Sequence, residues 1–249
     1  MNTNRKSAII VGGLYIIGTV AGILSRVFSA PIQNAQDLLI YVNANESQVI
    51  IGALCVLLMG LALAMVPVLM FPISRKHNET LAIGYVVFRG ALETFCYMAM
   101  AIGWLLLLPL SQVYIQDGTP VASNFNDLGA ILLNVEGIAF LTTIVFIIGA
   151  VMFYAVLFQS RLIPRWISIW GLVAAIPYLA ACFLVMLGLV DKMSSLDSIL
   201  QLPMFLQEMV LALWLIVKGF NSSALVAETT EAKTIGVQLS LSRKALRST

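Results

Sequence analysis

Six long stretches almost free of charged side chains leave this chain few ways to fold. They run over roughly 8–28, 47–73, 81–110, 128–158, 166–190 and 198–220. Each is long enough to cross a hydrocarbon layer of about 30 Å as a helix, which takes about 20 residues. A soluble domain could not carry them. Of the 249 residues 60% are hydrophobic and 10% charged, with a mean hydropathy of +0.97, whereas soluble domains are roughly a quarter charged. In lipid every backbone polar group must be satisfied within the segment or across a closed barrel, and runs of this length fit helices. The expected fold class is therefore all-α, an integral membrane bundle of six transmembrane helices over 1–220. A polar, flexible cytoplasmic tail is expected at 221–249.

The first apolar run follows Arg5 and Lys6 and resembles a secretory leader in outline. It is longer than the apolar region of a leader. Its one cleavage-like spot, Phe28-Ser29-Ala30, has a large residue where a small one is needed and precedes Pro31, so a retained span is expected. Lys and Arg then set the orientation. With six spans, Arg5, Lys6, Arg75, Lys76, Arg161, Arg165, Lys218 and the tail's Lys233, Arg243, Lys244 and Arg247 all fall on one side. The opposite side has only Arg26 and Lys192, among Asp37, Glu46, Asp117, Asp127, Asp191 and Asp197. Both termini are expected in the cytoplasm.

Several chemistries are excluded by residue type. A net charge of +2 is too small to suggest a nucleic-acid partner. Cys55, Cys96 and Cys182 sit in apolar runs with no CxxC spacing and read as small buried hydrophobes. His77 is the single histidine, which excludes a metal site built on several histidines and leaves any Ser or Cys in the spans without a histidine base. There is no HExxH, no GxSG with a histidine and no membrane aspartate pair, so no catalytic residue, metal or cofactor is assigned. Carboxylate acid–base chemistry stays open as an alternative.

The informative residues are the ionisable ones at lipid depth: Arg89 and Glu93 on span three, Glu136 on span four and Glu208 on span six. At 1.5 Å per residue, Arg89 and Glu93 lie roughly 13 and 19 Å from the inner end of their span, and Glu136 and Glu208 roughly 12 to 15 Å from their outer ends. All four are expected near the midplane. A charge at a helix centre costs about 2.5–3.5 kcal/mol on insertion scales, so Arg89 and Glu93 together cost about 5–7 and need partners inside the bundle. They stand four residues apart on one face, and Tyr85 and Tyr97 extend that face by a turn each way. On span one, Tyr15, Thr19, Gly22 and Arg26 form a comparable stripe, with Arg26 near the outer interface.

Smaller signals concern packing. Pro67, Pro109, Pro177 and Pro203 predict kinks or breaks. Gly18 and Gly22 form a small-xxx-small pair suited to a close helix contact. Arg165, Trp166, Lys218 and Phe220 read as interfacial anchors without a catalytic role.

Several short segments in order resemble one family. They are Leu69-Met70-Phe71-Pro72-Ile73-Ser74-Arg75, then Gly84-Tyr85 leading to Arg89 and Glu93, Ile163-Pro164-Arg165-Trp166 with Trp170-Gly171, and Glu208 followed by Trp214-Leu215 and Lys218-Gly219-Phe220. Together they resemble a bacterial six-span membrane family, the domain of unknown function DUF4386. The resemblance runs over nearly the whole chain apart from the tail. It implies a bacterial cytoplasmic membrane protein with an Arg/Glu pair on span three, and it implies no activity.

Three functional readings follow. The leading one is a midplane polar site of Arg89, Glu93, Glu136, Glu208, Tyr85 and Tyr97 that binds or passes a small solute, a proton or a lipid headgroup. Three carboxylates against one guanidinium leave a formal charge of −2, so either a Glu carries a proton or a cationic group binds. The second reading is a structural or regulatory subunit, with a protein partner or a second copy of the chain, whose charges only clamp the helices. The third is a carboxylate-dependent intramembrane enzyme.

Overall fold

The computed structural model describes residues 3–117, 122–133, 136–191 and 194–221. Among them the elements are α1 (Thr3–Gln33), α2 (Leu38–Ala44), α3 (Glu46–Ser74), α4 (Glu79–Tyr85), a π-helical segment (Val86–Leu92), α5 (Glu93–Asp117), α6 (Ala122–Leu133), α7 (Glu136–Ser160), α8 (Arg165–Met186) and α9 (Ser195–Val217), with no strand. Six helical stretches are long and apolar enough to cross a membrane: Asn4–Gln33, Glu46–Ser74, Glu79–Gln116, Phe140–Ser160, Arg165–Met186 and Ser195–Val217. Their outward faces suit lipid rather than water. Large apolar side chains such as Phe95, Ile176 and Val217 are 68%, 69% and 66% exposed, more than an aqueous surface of this size would carry in one belt.

The spans form a closed ring in chain order. Each packs on the next, from α1 on α3, through span three (α4, the π segment and α5) on α7, to α7 on α8 and α8 on α9, and α9 returns to α1. Spans three and six therefore face each other across the ring. Gly18 and Gly22 permit the tight α1–α3 seam, since a Cβ at either would come within 2.8 Å of Leu63 or 2.7 Å of Met59. The ring is latched at its closing seam by Arg5, whose guanidinium donates to the carbonyls of Leu215 at 2.9 Å and Val217 at 3.1 Å, and also to that of Ile216. Those carbonyls belong to the last turn of α9, where an α-helix leaves acceptors unpaired and a cation is favoured.

Polar caps mark the helix starts. Asp37, Asn78 and Ser194 each accept a hydrogen bond from the backbone three residues on, at 3.1, 3.1 and 3.3 Å. Toward the end that carries Asp37 and Glu46, a satellite core of Ile32, Val42, Val49, Val56, Trp104 and Leu107 packs between α1, α2, α3 and α5. The larger core, with Tyr15, Tyr85, Phe146, Phe153, Tyr154 and Leu211, fills the ring.

Two details differ from the sequence expectations. The connection between the first two spans contains the short helix α2. None of the four prolines breaks its span, because α3, α5, α8 and α9 continue past Pro67, Pro109, Pro177 and Pro203. Neighbouring helices can re-satisfy the carbonyl that a proline frees. Of the tail expected at 221–249, residues 222–249 lie outside the described residues.

Candidate functional site

The π segment positions the site. Its hydrogen bonds close i→i+5, so each turn takes in about one residue more than an α turn. In a regular α-helix a four-residue step overshoots a full turn by about 40°, and three steps from Tyr85 to Tyr97 would drift by about 120°. The wider turns offset that drift, and Tyr85, Arg89, Glu93 and Tyr97 point toward one region of the ring interior. Only a close neighbour can brace such a bulge. Gly149 on α7 supplies it: a Cβ there would lie 3.0 Å from both the backbone nitrogen and the Cβ of Arg89.

Arg89 is the hub. It is 3% exposed, and its Nη1 donates to Glu93 Oε1 at 3.3 Å while its Nη2 donates to Glu208 Oε1 at 2.9 Å. Its guanidinium lies over the Phe146 ring, 4.3 Å from the centroid. A desolvated cation on an aromatic face gains about 2 kcal/mol, so α7 contributes to holding the charge as well as to holding the backbone. The Tyr97 hydroxyl donates to Glu93 Oε1 at 3.0 Å. That oxygen thus accepts from both Arg89 and Tyr97, while Glu93 Oε2 is buried with no hydrogen-bond partner.

Around this cluster stand five more aromatic or amide groups. The Tyr15 and Tyr85 hydroxyls lie 3.3 Å apart, linking span one to span three. Tyr85 stacks on Phe153 with ring centroids 4.3 Å apart and planes 7° from parallel. Tyr154 donates to Gln207 Oε1 at 2.6 Å, and Gln207 Nε2 donates to the Ile167 carbonyl at 3.1 Å. Spans one, three, four, five and six are thereby joined. Glu208 is the open member of the cluster, its side chain 17% exposed against 1% for Glu93.

The expected site residues divide as follows. Arg89, Glu93, Glu208 and Tyr97 form one bonded cluster, and Tyr85 stands beside it bonded to Tyr15. Glu136 is the first residue of α7, thirteen residues before Gly149, which is about 20 Å of helix rise from the level of Arg89. The expected convergence of Glu136 is thus corrected by its backbone position, and its side chain lies outside the described residues. Arg26, the last member of the span-one stripe, is exposed. Sequence reasoning did not single out Phe146, Phe153, Tyr154 or Gln207. Gln207 carried a usable signal, since an amide beside Glu208 in an apolar run needs a partner in lipid.

The centre therefore holds two carboxylates against one guanidinium, a formal charge of −1, in a polytopic all-helical membrane protein. The chain belongs to the family described as Domain of unknown function (DUF4386), whose profile matches residues 10–219 and so includes every member of the cluster. No curated protein and no solved structure matches it at a significant level.

Proposed function

We propose that the ring centre is a polar binding site that takes one exchangeable positive charge, a proton or a small cationic solute, and that the protein binds or passes it across a bacterial cytoplasmic membrane. The observation that carries this reading is Glu93 Oε2, a buried carboxylate oxygen without a partner beside an already engaged guanidinium. A buried unpaired acceptor costs about 1–3 kcal/mol, more for a charged group, and a bound proton or cationic group would recover it. Glu208, partly exposed and shared with Arg89, is the residue through which the charge would enter. The end bearing Arg5, Arg75, Arg161 and Lys218 is assigned to the cytoplasm on the Lys/Arg bias.

A second reading is a helix clamp, favoured by the bonding of both Arg89 Nη groups to carboxylates. Carbodiimide labelling of the protein in lipid nanodiscs separates the two, because the reagent modifies a protonated carboxyl in an apolar setting. The binding reading expects label on Glu208 or Glu93 that falls as pH rises. It also expects the label to move or vanish in Glu208→Gln while the variant stays folded. An unlabelled cluster at acidic and alkaline pH alike would leave the clamp.

A further inference from the structure

At the end of the ring that carries Arg5, the α7–α8 turn and the last turn of α9 border an open pocket of about 590 Å³. Arg161, Arg165 and Lys218 line it together with Trp214, Phe220 and Asn221, and no lining residue is acidic. The three cations belong to two segments some fifty residues apart in sequence, so the fold gathers them. Like charges so assembled repel one another, and they are stabilised most by an anion among them.

Two features show that the turn is held in this form. Arg161 has φ 54°, a left-handed conformation that favours glycine. Asn221 fastens it, donating from its backbone nitrogen to the Leu162 carbonyl at 2.8 Å and from Nδ2 to the Arg161 carbonyl at 3.4 Å. Beside the turn, α8 starts at Arg165 with Pro164 at its N-cap, which offers no side-chain acceptor. The first N–H groups of a 22-residue helix therefore face the same region as the cations.

The location indicates the source of the anion. The pocket lies where three candidate spans end, at Ser160, Arg165 and Val217, which is headgroup depth. Trp214 and Phe220 line it, and Trp166 beside it is 51% exposed, as interfacial aromatics are. Ile169 and Ile176, four and eleven residues on from Arg165 and so on its face of α8, are 47% and 69% exposed. A phosphate in the pocket could thus continue into acyl chains along α8.

We propose that this pocket binds the phosphate of an anionic membrane phospholipid, with Arg161, Arg165 and Lys218 as its cationic ligands and α8 as the track for the acyl chains. The proposal is independent of the ring centre. Basic pockets between helix ends are suited to acidic headgroups, and each basic residue removed is expected to weaken binding about fivefold.

The test is native mass spectrometry of the full chain released from nanodiscs of phosphatidylglycerol mixed with phosphatidylcholine. Wild type is expected to retain one phosphatidylglycerol beyond the non-specific distribution, and the triple variant Arg161→Gly, Arg165→Gln, Lys218→Gln is expected to lose it. Arg161→Gly alone is the control for folding, because glycine suits φ 54°. It should unfold no earlier than wild type yet hold the lipid about fivefold less well. Equal retention by wild type and the folded triple variant, or equal retention of the two lipids, would overturn the proposal. So would displacement by inorganic phosphate without any preference for phosphatidylglycerol, which would assign the pocket to a soluble anion.

Discussion

Arg89 on span three and Glu208 on span six meet at 2.9 Å across the ring, although the backbones of their two spans do not pack along each other. The pair acts as a strut between opposite walls. Its second arm, Arg89 to Glu93 at 3.3 Å, stays within span three and fixes the direction in which the guanidinium points. Removing the hub strands both carboxylates in the interior. Arg89→Ala is expected to destabilise the folded protein by about 3–5 kcal/mol, read as a lower unfolding temperature in detergent. Glu208→Gln keeps the shape and an acceptor for Arg89, so a smaller loss of about 1–2 kcal/mol is expected. A larger loss for Glu208→Gln than for Arg89→Ala would refute the hub assignment.

Gly149→Ala tests the brace behind the π segment. The added methyl meets backbone at Arg89, which cannot rotate away, and overpacking of this kind costs about 1–3 kcal/mol. Gly84→Ala is the matched control. Its Cβ would press on the Sδ of Met152, the flexible part of a side chain that can move. Thermal unfolding of the two variants should therefore separate, with Gly149→Ala the less stable.

Tyr97→Phe deletes one donor to Glu93 and leaves Oε1 dependent on Arg89 alone. Hydrogen bonds to charged groups contribute about 1.5–3 kcal/mol. Tyr15→Phe removes only a neutral hydroxyl contact to Tyr85, with about 0.5–1.5 kcal/mol expected. Combining Tyr97→Phe with Glu93→Gln should give less than the sum of the single effects, because both substitutions act on the one Tyr97–Glu93 bond.

Gly219→Ala should open the latch between the first and last spans. Gly219 has φ 74°, and a Cβ there would lie 2.7 Å from the Arg5 guanidinium that caps α9. Hydrogen exchange should rise in the last turn of α9 and the first turn of α1, with α3 unchanged. Arg5→Gln should reproduce the pattern. Uniform protection in both variants would show that the capping carries no closing force.

The spans were legible because their signal is bulk composition, which lipid enforces residue by residue. The Arg89–Glu93 pairing and the level of Glu208 were legible too, since both follow from helix rise and spacing alone. Gly18 and Gly22 announced the α1–α3 seam through their missing side chains. The π segment was not legible: a shift from i→i+4 to i→i+5 bonding changes no residue type, and its brace, Gly149, lies on another span. Glu136 was misplaced because its depth was measured from the start of the run 128–158, which at about 1.5 Å per residue is longer than the hydrocarbon core. Phe146 and Tyr154 resemble ordinary core aromatics, and only the tertiary contact reveals that one lies against a guanidinium and the other anchors an amide.

Arg89 and Glu208 are 119 residues apart, and that separation has a meaning in time. At about 5–20 residues per second of synthesis, roughly 6–24 s pass between the appearance of the guanidinium and that of its partner on the last span. For that interval Arg89 must do without its distant partner. Glu93 follows Arg89 in under about one second at the same pace, so it can travel into the lipid as the cation's first companion. On this view the two carboxylates serve in succession: the near one accompanies Arg89 during insertion, and the distant one arrives when the final helix completes the circle.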